Sequence, residues 1–157
     1  MNRVPRLLVV HHTVSPATEE LLDAVLRGTR DDALGPAGSL EVVVVPALAA
    51  GAPDVLAADG FLLGTPANIG YISGALKHFF DTVYYPCRAG TKGRPYGAYV
   101  HGNQDSTGAV RAIETITKGL GWMSVAPVLT VPGPISKPDR EAAYELGATV
   151  AATLLAA

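Results

Sequence analysis

Short runs of consecutive apolar residues recur along the chain, and each run has the length of a β-strand. They do not alternate with polar residues, which is typical of strands that are covered on both faces of a sheet. Glycine, proline and polar residues separate the runs and predict turns. The pattern therefore predicts five buried strands, at residues 6–11, 40–45, 60–63, 96–100 and 125–131.

Helical spacing of apolar residues fills most of the segments between these runs. Ser15 is a candidate N-cap for a helix that begins at Pro16 and ends at Gly28. A second amphipathic stripe, over 76–84, has apolar residues at i, i+3, i+4, i+7 and i+8. Further helices are predicted over 110–120 and from residue 138 onward, with one helical turn near 53–58 and a loop over 86–95.

Strands that alternate with helices indicate a parallel sheet with helices on both faces. The element lengths suit a three-layer, flavodoxin-like α/β fold, with five strands in the order 2-1-3-4-5, better than a six-stranded Rossmann sheet. At 157 residues we expect a single domain over 1–157. In such folds the ligand lies beyond the carboxyl ends of the strands, where the strand order reverses. The turns of interest are therefore 11–18, 64–73 and 101–107.

Composition and charge exclude several classes of partner. The net charge is −2 and there is no basic stripe, which argues against nucleic acid as the main partner. Cys87 is the single cysteine, so no internal disulfide can form and a reducing compartment is expected. The apolar runs are too short to span a bilayer or to form a signal peptide. We expect a cytoplasmic protein with no membrane partner.

The first turn has the polar groups of an anion site. The hydroxyls of Thr13, Ser15 and Thr18 converge with the free N–H groups of a helix start, where the helix dipole favours negative charge. No lysine or arginine lies between residues 7 and 26, and neither GxxxxGK[ST] nor GxGxxG occurs. An uncharged, hydroxyl-rich turn suits a single terminal phosphate. The alternative is that Ser15 is only an N-cap and the threonines are ordinary turn residues.

The second and third turns have the composition of loops that lie along a flat, polar-edged heterocycle. Thr65, Asn68 and Ser73 stand among glycines in a segment expected to be a mobile loop. Ile69 and Tyr71 are suited to cover one face of such a ring. The third turn is again rich in glycine and amides, and it is placed to bracket the ring's pyrimidine side: His101-Gly102-Asn103-Gln104-Asp105-Ser106.

Three segments share the motifs of one protein family. In ADGFLLGTPANIGYISGALKHFFD (58–81) a strand ends in G-[ST]-P, passes an N/F-G stretch and enters a G-x-L-K-x-F-x-D helix. Residues 13–18 resemble that family's phosphate loop, [ST]-x-[ST]-G-x-T, with Pro16 where glycine is usual. Residues 139–151, DREAAYELGATVA, are similar to its last helix. The chain thus resembles, over almost its whole length, the flavodoxin-like FMN proteins, especially the NAD(P)H-dependent FMN reductase and quinone reductase branch.

The resemblance implies FMN as cofactor and assigns contacts residue by residue. The first turn would hold the phosphate, residues 65–70 would line the ribityl chain and isoalloxazine, and the third turn would contact the other edge of the ring. Tyr71 is the one obvious stacking residue, because the third turn lacks an aromatic. The residues implied are Thr13, Ser15, Ala17, Thr18, Thr65, Pro66, Ala67, Asn68, Ile69, Gly70, Tyr71, His101, Gly102, Asn103 and Asp105.

The resemblance also implies an oxidoreductase, since bound FMN takes up a hydride and passes on electrons. The leading interpretation is an enzyme that transfers reducing equivalents from NAD(P)H to a quinone, free flavin or another small acceptor. The rival is a flavodoxin-type one-electron carrier that docks to protein partners, and a third alternative is a flavodoxin-like domain that has lost its flavin. Near-neutral charge favours the enzyme, because carriers typically surround the flavin with acidic residues. No catalytic acid–base pair is required.

Histidines near the turns do not predict a metal. His11 and His12 are neighbours at a strand end and point to opposite faces, so only one of them could join His101 and Asp105 in a ligand set.

The basic loop over 86–95 has two interpretations. Arg88, Lys92 and Arg94 either steer an NADPH phosphate or form a solvated surface. Tyr85 would reach a neighbouring subunit's site if the protein forms a homo-oligomer. The sequence does not distinguish NADH from NADPH as the electron donor, or FMN from a deazaflavin whose phosphate would lie on the first turn.

Overall fold

The computed structural model describes residues 3–103 and 105–157, with a mainly parallel sheet between two layers of helices. The strands are β1 (Arg6–His11), β2 (Glu41–Pro46), β3 (Gly60–Asn68), β4 (Tyr71–Ile72), β5 (Pro95–Gly102), β6 (Met123–Ser124) and β7 (Leu129–Pro132). The helices are α1 (Pro16–Gly28), α2 (Ala52–Ala57), α3 (Gly74–Cys87), α4 (Thr107–Leu120) and α5 (Lys137–Ala156), with a short 3-10 helix at Asp32–Leu34.

The strand order confirms the predicted fold. The order is β2-β1-β3-β5, with β6 and β7 both on the outer side of β5 and every one of these pairings parallel. β5 is therefore the fourth predicted strand, and β6 with β7 occupies the fifth position. After β1 the chain forms β2 on one side of the sheet, and after β3 it forms β5 on the other side. The strand order thus reverses between β1 and β3, which defines the crevice where ligands bind in such sheets.

The fifth predicted strand is not continuous, and this expectation was wrong in detail. β6 pairs with the first residues of β5 and β7 with the last, while residues 125–128 bulge out between them. Pro127 lies in the bulge and has no N–H to donate to a ladder. Because this is the edge of the sheet, the interruption affects pairing with β5 only.

Apolar residues fill both faces of the central strands, as their unbroken runs predicted. Leu8 and Val10 of β1 pack on the side of α2, α3 and α4, whereas Leu7 and Val9 pack toward α1 and α5. All four are buried. β2 differs from the prediction of a buried strand: it is the other edge of the sheet, and Val44 keeps 38% of its surface exposed.

Helices α1 and α5 cross with their backbones in contact. A Cβ on Gly28 would overlap the carbonyl oxygen of Tyr144, and a Cβ on Gly147 would overlap that of Val25. Glycine at both positions therefore allows the closest approach of these helices. The packing seals the face of the sheet that carries Leu7 and Val9.

None of the helices in the part of the chain that the structure describes is long and apolar enough to cross a membrane.

Asp59, just before β3, ties the start of β1 to the sheet. Its Oδ2 accepts from the amide of Arg6 at 2.7 Å, and its carboxylate pairs with the guanidinium of Arg3 at 2.6 Å. Partial burial opposes ionisation, but the hydrogen bonds from Arg3 and Arg6 outweigh it and hold the pKa of Asp59 below its ordinary value.

A carboxyl whose pKa is lower in the folded state stabilises the fold above its unfolded pKa of about 3.9, and this stabilisation is lost as the pH falls through the folded value. We therefore expect Asp59→Asn to lower the free energy of unfolding at pH 7, with the gap to wild type narrowing below about pH 4. Urea unfolding of both proteins between pH 3 and pH 7 measures this. If the difference in free energy of unfolding between the two proteins stays constant from pH 3 to pH 7, the lowered pKa of Asp59 does not stabilise the fold.

Candidate functional site

Three turns meet at the carboxyl edge of the sheet around the crevice between β1 and β3. β1 and β3 pair through His11 and Gly64, and β3 and β5 pair through Pro66 and His101. The amide of His12 donates to the carbonyl of Gly64 at 2.9 Å, which closes the base of the crevice. The three turns singled out from the sequence are therefore neighbours in space.

The first turn is held together by its own hydroxyls. Ser15 is the N-cap of α1, and its Oγ accepts from the amide of Thr18 at 3.2 Å. The Thr18 side chain is fully buried, and its Oγ1 accepts from the amides of Val14 at 3.1 Å and Ser15 at 3.0 Å. Ser15 and Thr18 therefore shape the turn itself, in a reciprocal capping box.

Two amides of this turn keep their hydrogen-bonding capacity. Within the described chain, the N–H groups of Thr13 and Ala17 have no acceptor, and Pro16 has no N–H. The hydroxyl of Thr13 pairs with Nδ1 of His11 at 2.8 Å. Burial, and then the neighbouring His12, lower the pKa of His11, so its imidazole is neutral at pH 7. The turn thus offers uncharged donors at the N-terminus of α1, a donor set that suits an anion.

The second turn is a β-hairpin, where a mobile loop was expected. β3 continues past Leu63 to Asn68, and β4 returns antiparallel to it. The two central residues, Ile69 and Gly70, have φ angles of 50° and 74°, as a type I′ turn requires. The turn predicted from the sequence is therefore present, but it is part of a hydrogen-bonded hairpin.

Buried hydroxyls fix the roots of this hairpin. Thr65 Oγ1 donates to the carbonyl of Pro66 at 2.7 Å and accepts from the amide of Ser73 at 3.1 Å. Ser73 in turn caps α3, where its Oγ accepts from the amide of Leu76 at 3.2 Å. The hydroxyl of Thr65, one of the predicted site residues, is therefore used inside the protein.

Exposed apolar side chains surround the crevice. Ile69 is fully exposed and Tyr71 is 42% exposed, both on the hairpin, while Val14 and Leu48 are exposed on the turns after β1 and β2. We call these four residues the apolar rim. All four follow the carboxyl ends of strands, on the edge of the sheet where ligands bind in such folds.

The third turn places its predicted residues in different roles. His101 Nε2 pairs with the carbonyl of Gly133 at 2.7 Å, on the α5 side of the sheet, and Gly102 is buried. Asn103 is exposed beyond the strand end. Asp105 accepts from the hydroxyl and the amide of Thr107, and these bonds lower the pKa of the Asp105 carboxyl. Gln104 lies outside the described residues.

The basic loop lies at the opposite edge of the sheet. It precedes the first residue of β5, Pro95, whereas the third turn follows the last, Gly102, about 20 Å away along an extended strand. Arg94 donates to the carbonyls of Val55, Leu56 and Ala58 and so caps the end of α2. This placement separates the loop from the crevice of its own chain.

The part of the chain that the structure describes contains neither a candidate metal centre nor an activated thiol. Among residues 3–103 and 105–157, no three His, Cys, Asp or Glu side chains gather as metal ligands. Cys87 is buried, and burial raises the pKa of its thiol.

Sequence reasoning missed two glycine contacts that shape the crevice. The Tyr99 ring occupies the space that a Cβ on Gly64 would need, and its buried hydroxyl has no partner among the described residues. At the hairpin tip, a Cβ on Gly108 would overlap the carbonyl oxygen of Gly70. Gly64 and Gly70 lie in the motif already singled out, but no sequence signal pointed to Tyr99 or Gly108.

Comparisons with known proteins identify the family and a relative of part of the chain. The family model for NADPH-dependent FMN reductase matches residues 38–133. A flavodoxin from Aquifex aeolicus (strain VF5) is 33% identical over 78 residues, which is 50% of this chain, and the matched stretch spans only 40% of that relative's length.

Solved structures with the same fold cover nearly the whole chain. A flavodoxin from the domain Archaea has a TM-score of 0.80 at 17% identity, covering 95% of this chain and 98% of the other. The flavodoxin, WrbA-like protein from Agrobacterium tumefaciens has a TM-score of 0.77 at 19% identity, covering 96% and 97%. Because the sequence identities are only 17% and 19%, these similarities establish the fold alone.

Proposed function

The chain belongs to the NADPH-dependent FMN reductase family, and on that premise we propose that it is an FMN-binding oxidoreductase that passes reducing equivalents from NAD(P)H to a small acceptor, a quinone or free flavin. The observation that carries the proposal is the meeting of three turns at the crevice between β1 and β3. The crevice combines uncharged anion donors on one turn with exposed apolar side chains on the next. That combination suits a ligand with a phosphate at one end and a flat ring at the other.

The first turn supplies the phosphate contacts in this proposal. The amides of Thr13 and Ala17 donate to the phosphate, and the capping box of Ser15 and Thr18 holds the turn in shape. The N-terminus of α1 adds the positive end of its dipole. The cradle contains no lysine or arginine, so binding depends on the geometry of its donors.

The hairpin and the third turn supply the ring contacts. The proposed contacts are the side chains of Ile69 and Tyr71 and the backbone of 65–70, with His101, Gly102, Asn103 and Asp105 at the other edge. FMN supplies the hydride and electron chemistry when it is bound. The chain's part is to orient the ring, exclude water from one face and leave the other open for donor and acceptor in turn.

A one-electron carrier is the second candidate, and two observations favour it. The apolar rim would be covered by a docking protein in a carrier, and the relatives compared above are named flavodoxins. The net charge of −2 favours the enzyme, because carriers usually present a strongly acidic surface to basic partners. We place the activity in the cytoplasm, where NAD(P)H is available, and a homo-oligomer is part of the proposal.

The test is FMN titration of the purified protein, followed by anaerobic NADPH or NADH. We expect saturable binding that changes the visible spectrum near ~450 nm, rapid bleaching by at least one nicotinamide, and recovery of colour on adding a quinone or free flavin. Light scattering reports the oligomeric state. Binding without reduction by either nicotinamide would favour the carrier, and no binding would exclude both functions.

A further inference from the structure

At the tip of the hairpin, the backbone of Gly70 lies against the first turn of α4. A Cβ on Gly108, the second residue of α4, would overlap the carbonyl oxygen of Gly70 and would lie 3.2 Å from its carbonyl carbon. Only glycine leaves room for this contact. The carbonyl oxygen lies at the N-terminal end of α4, where the helix dipole is positive and attracts a partial negative charge.

Ile69 and Gly70, the two residues of the tip, have few other contacts, and the nearest buried apolar side chain in β4 is that of Ile72. Ile69 is fully exposed and adopts a φ of 50°, which is unfavourable for a β-branched residue. A Cβ on Gly70 would meet no atom within 4 Å, so that side of the tip is open. The hydrogen bonds of Thr65 and Ser73 hold the opposite end of the hairpin. The contact of Gly70 with α4 is therefore the one that the tip itself makes, two residues before the buried Ile72.

Tyr71 depends on this contact, because it directly follows Gly70. It pairs with Asn68 across the hairpin and carries the exposed aromatic ring of the apolar rim. A shift of the Gly70 carbonyl would move the Tyr71 backbone with it.

We propose that Gly108 is a positioning residue: its missing side chain lets the hairpin dock on α4, and this docking sets the position of Tyr71 for the flavin ring. The inference rests on the proposed FMN site. It gives α4, which follows β5, a role in the position of the hairpin that β3 and β4 form.

The test compares Gly108→Ala with Gly74→Ala, both in FMN-free and in FMN-bound protein. Gly74 is the first residue of α3, and a Cβ there would meet no atom within 4 Å, so it is a matched control. Alanine favours a helix more than glycine does, so the substitution leaves α4 itself intact. Gly108→Ser carries the same Cβ and serves as a second variant.

In Gly108→Ala we expect faster hydrogen exchange in peptides covering 66–73 of the FMN-free protein. We also expect FMN affinity to fall roughly tenfold or more, with an altered visible circular dichroism of the bound flavin, because binding sites tolerate displacements of only about 0.5 Å. Gly74→Ala should match wild type in all three measurements.

Unchanged FMN affinity in Gly108→Ala, or equal losses in both variants, would overturn the inference. Faster exchange without any loss of affinity would also overturn it, because docking would then be irrelevant to the ligand. If wild type binds no FMN, the proposed function fails by itself. The exchange comparison would still decide whether Gly108 docks the hairpin.

Discussion

Replacing Thr18 by valine is expected to weaken FMN binding by at least about a hundredfold, equivalent to about 2.7 kcal/mol. Valine keeps the shape of threonine but removes the oxygen that accepts from the amides of Val14 and Ser15. Those amides would then lack their acceptor in the turn. The turn would open to hydrate them, and the amides of Thr13 and Ala17 would lose their common orientation toward the phosphate.

The same substitution is expected to lower the free energy of unfolding by about 1–3 kcal/mol, because two partly buried amides lose their acceptor and the turn must open to hydrate them. Isothermal titration with FMN and urea unfolding measure the two effects. Thr18→Ser keeps the hydroxyl and is the control, with affinity close to wild type. If Thr18→Val binds FMN as tightly as wild type, the capping box does not organise the phosphate cradle.

Replacing Gly147 by alanine is expected to destabilise the fold by about 2–4 kcal/mol, although alanine is the better helix former by up to about 1 kcal/mol. The added Cβ would overlap the carbonyl oxygen of Val25, which belongs to the backbone of α1 and cannot rotate away. α1 and α5 would have to separate, and apolar contacts beneath them, including those of Leu21 and Leu146, would loosen.

Urea unfolding measures this effect, with Gly74→Ala as the control because its added Cβ would meet no atom within 4 Å. We expect the control to unfold within about 0.5 kcal/mol of wild type. FMN binding by folded Gly147→Ala should change little, since the crossing lies away from the crevice turns. If Gly147→Ala and wild type have the same free energy of unfolding, the close approach of α1 and α5 does not contribute to stability.

Much of the fold follows from local sequence patterns. Unbroken apolar runs predicted the buried strands β1, β3 and β5, because a strand covered on both faces has no solvent side on which polar residues would alternate. Ser15 and Pro16 predicted the start of α1, since N-cap and first-turn preferences depend on residues that are close in sequence. Alternation of strands and helices predicted the parallel sheet, and the lengths of the elements favoured the flavodoxin-like strand order.

Edges of the sheet were the places where local patterns misled. The valines of β2 resemble a central strand, yet β2 pairs on one side only. The run over 125–131 resembles one strand, but Pro127 and an edge position divide it. The predicted order already placed these two strands at the edges, but a run of apolar residues does not show that an edge strand is partly exposed or interrupted.

Which three turns meet could be predicted from the sequence, because a parallel sheet places the carboxyl ends of its strands at one edge. How those turns are built depends on packing: Thr18 turns inward, residues 67–72 form a hairpin, and Gly108 receives the Gly70 carbonyl. These features are contacts between backbone groups or buried hydroxyls that are brought together by packing. A contact that depends on a missing side chain leaves no periodic signal, so it becomes visible only when both backbones are in place.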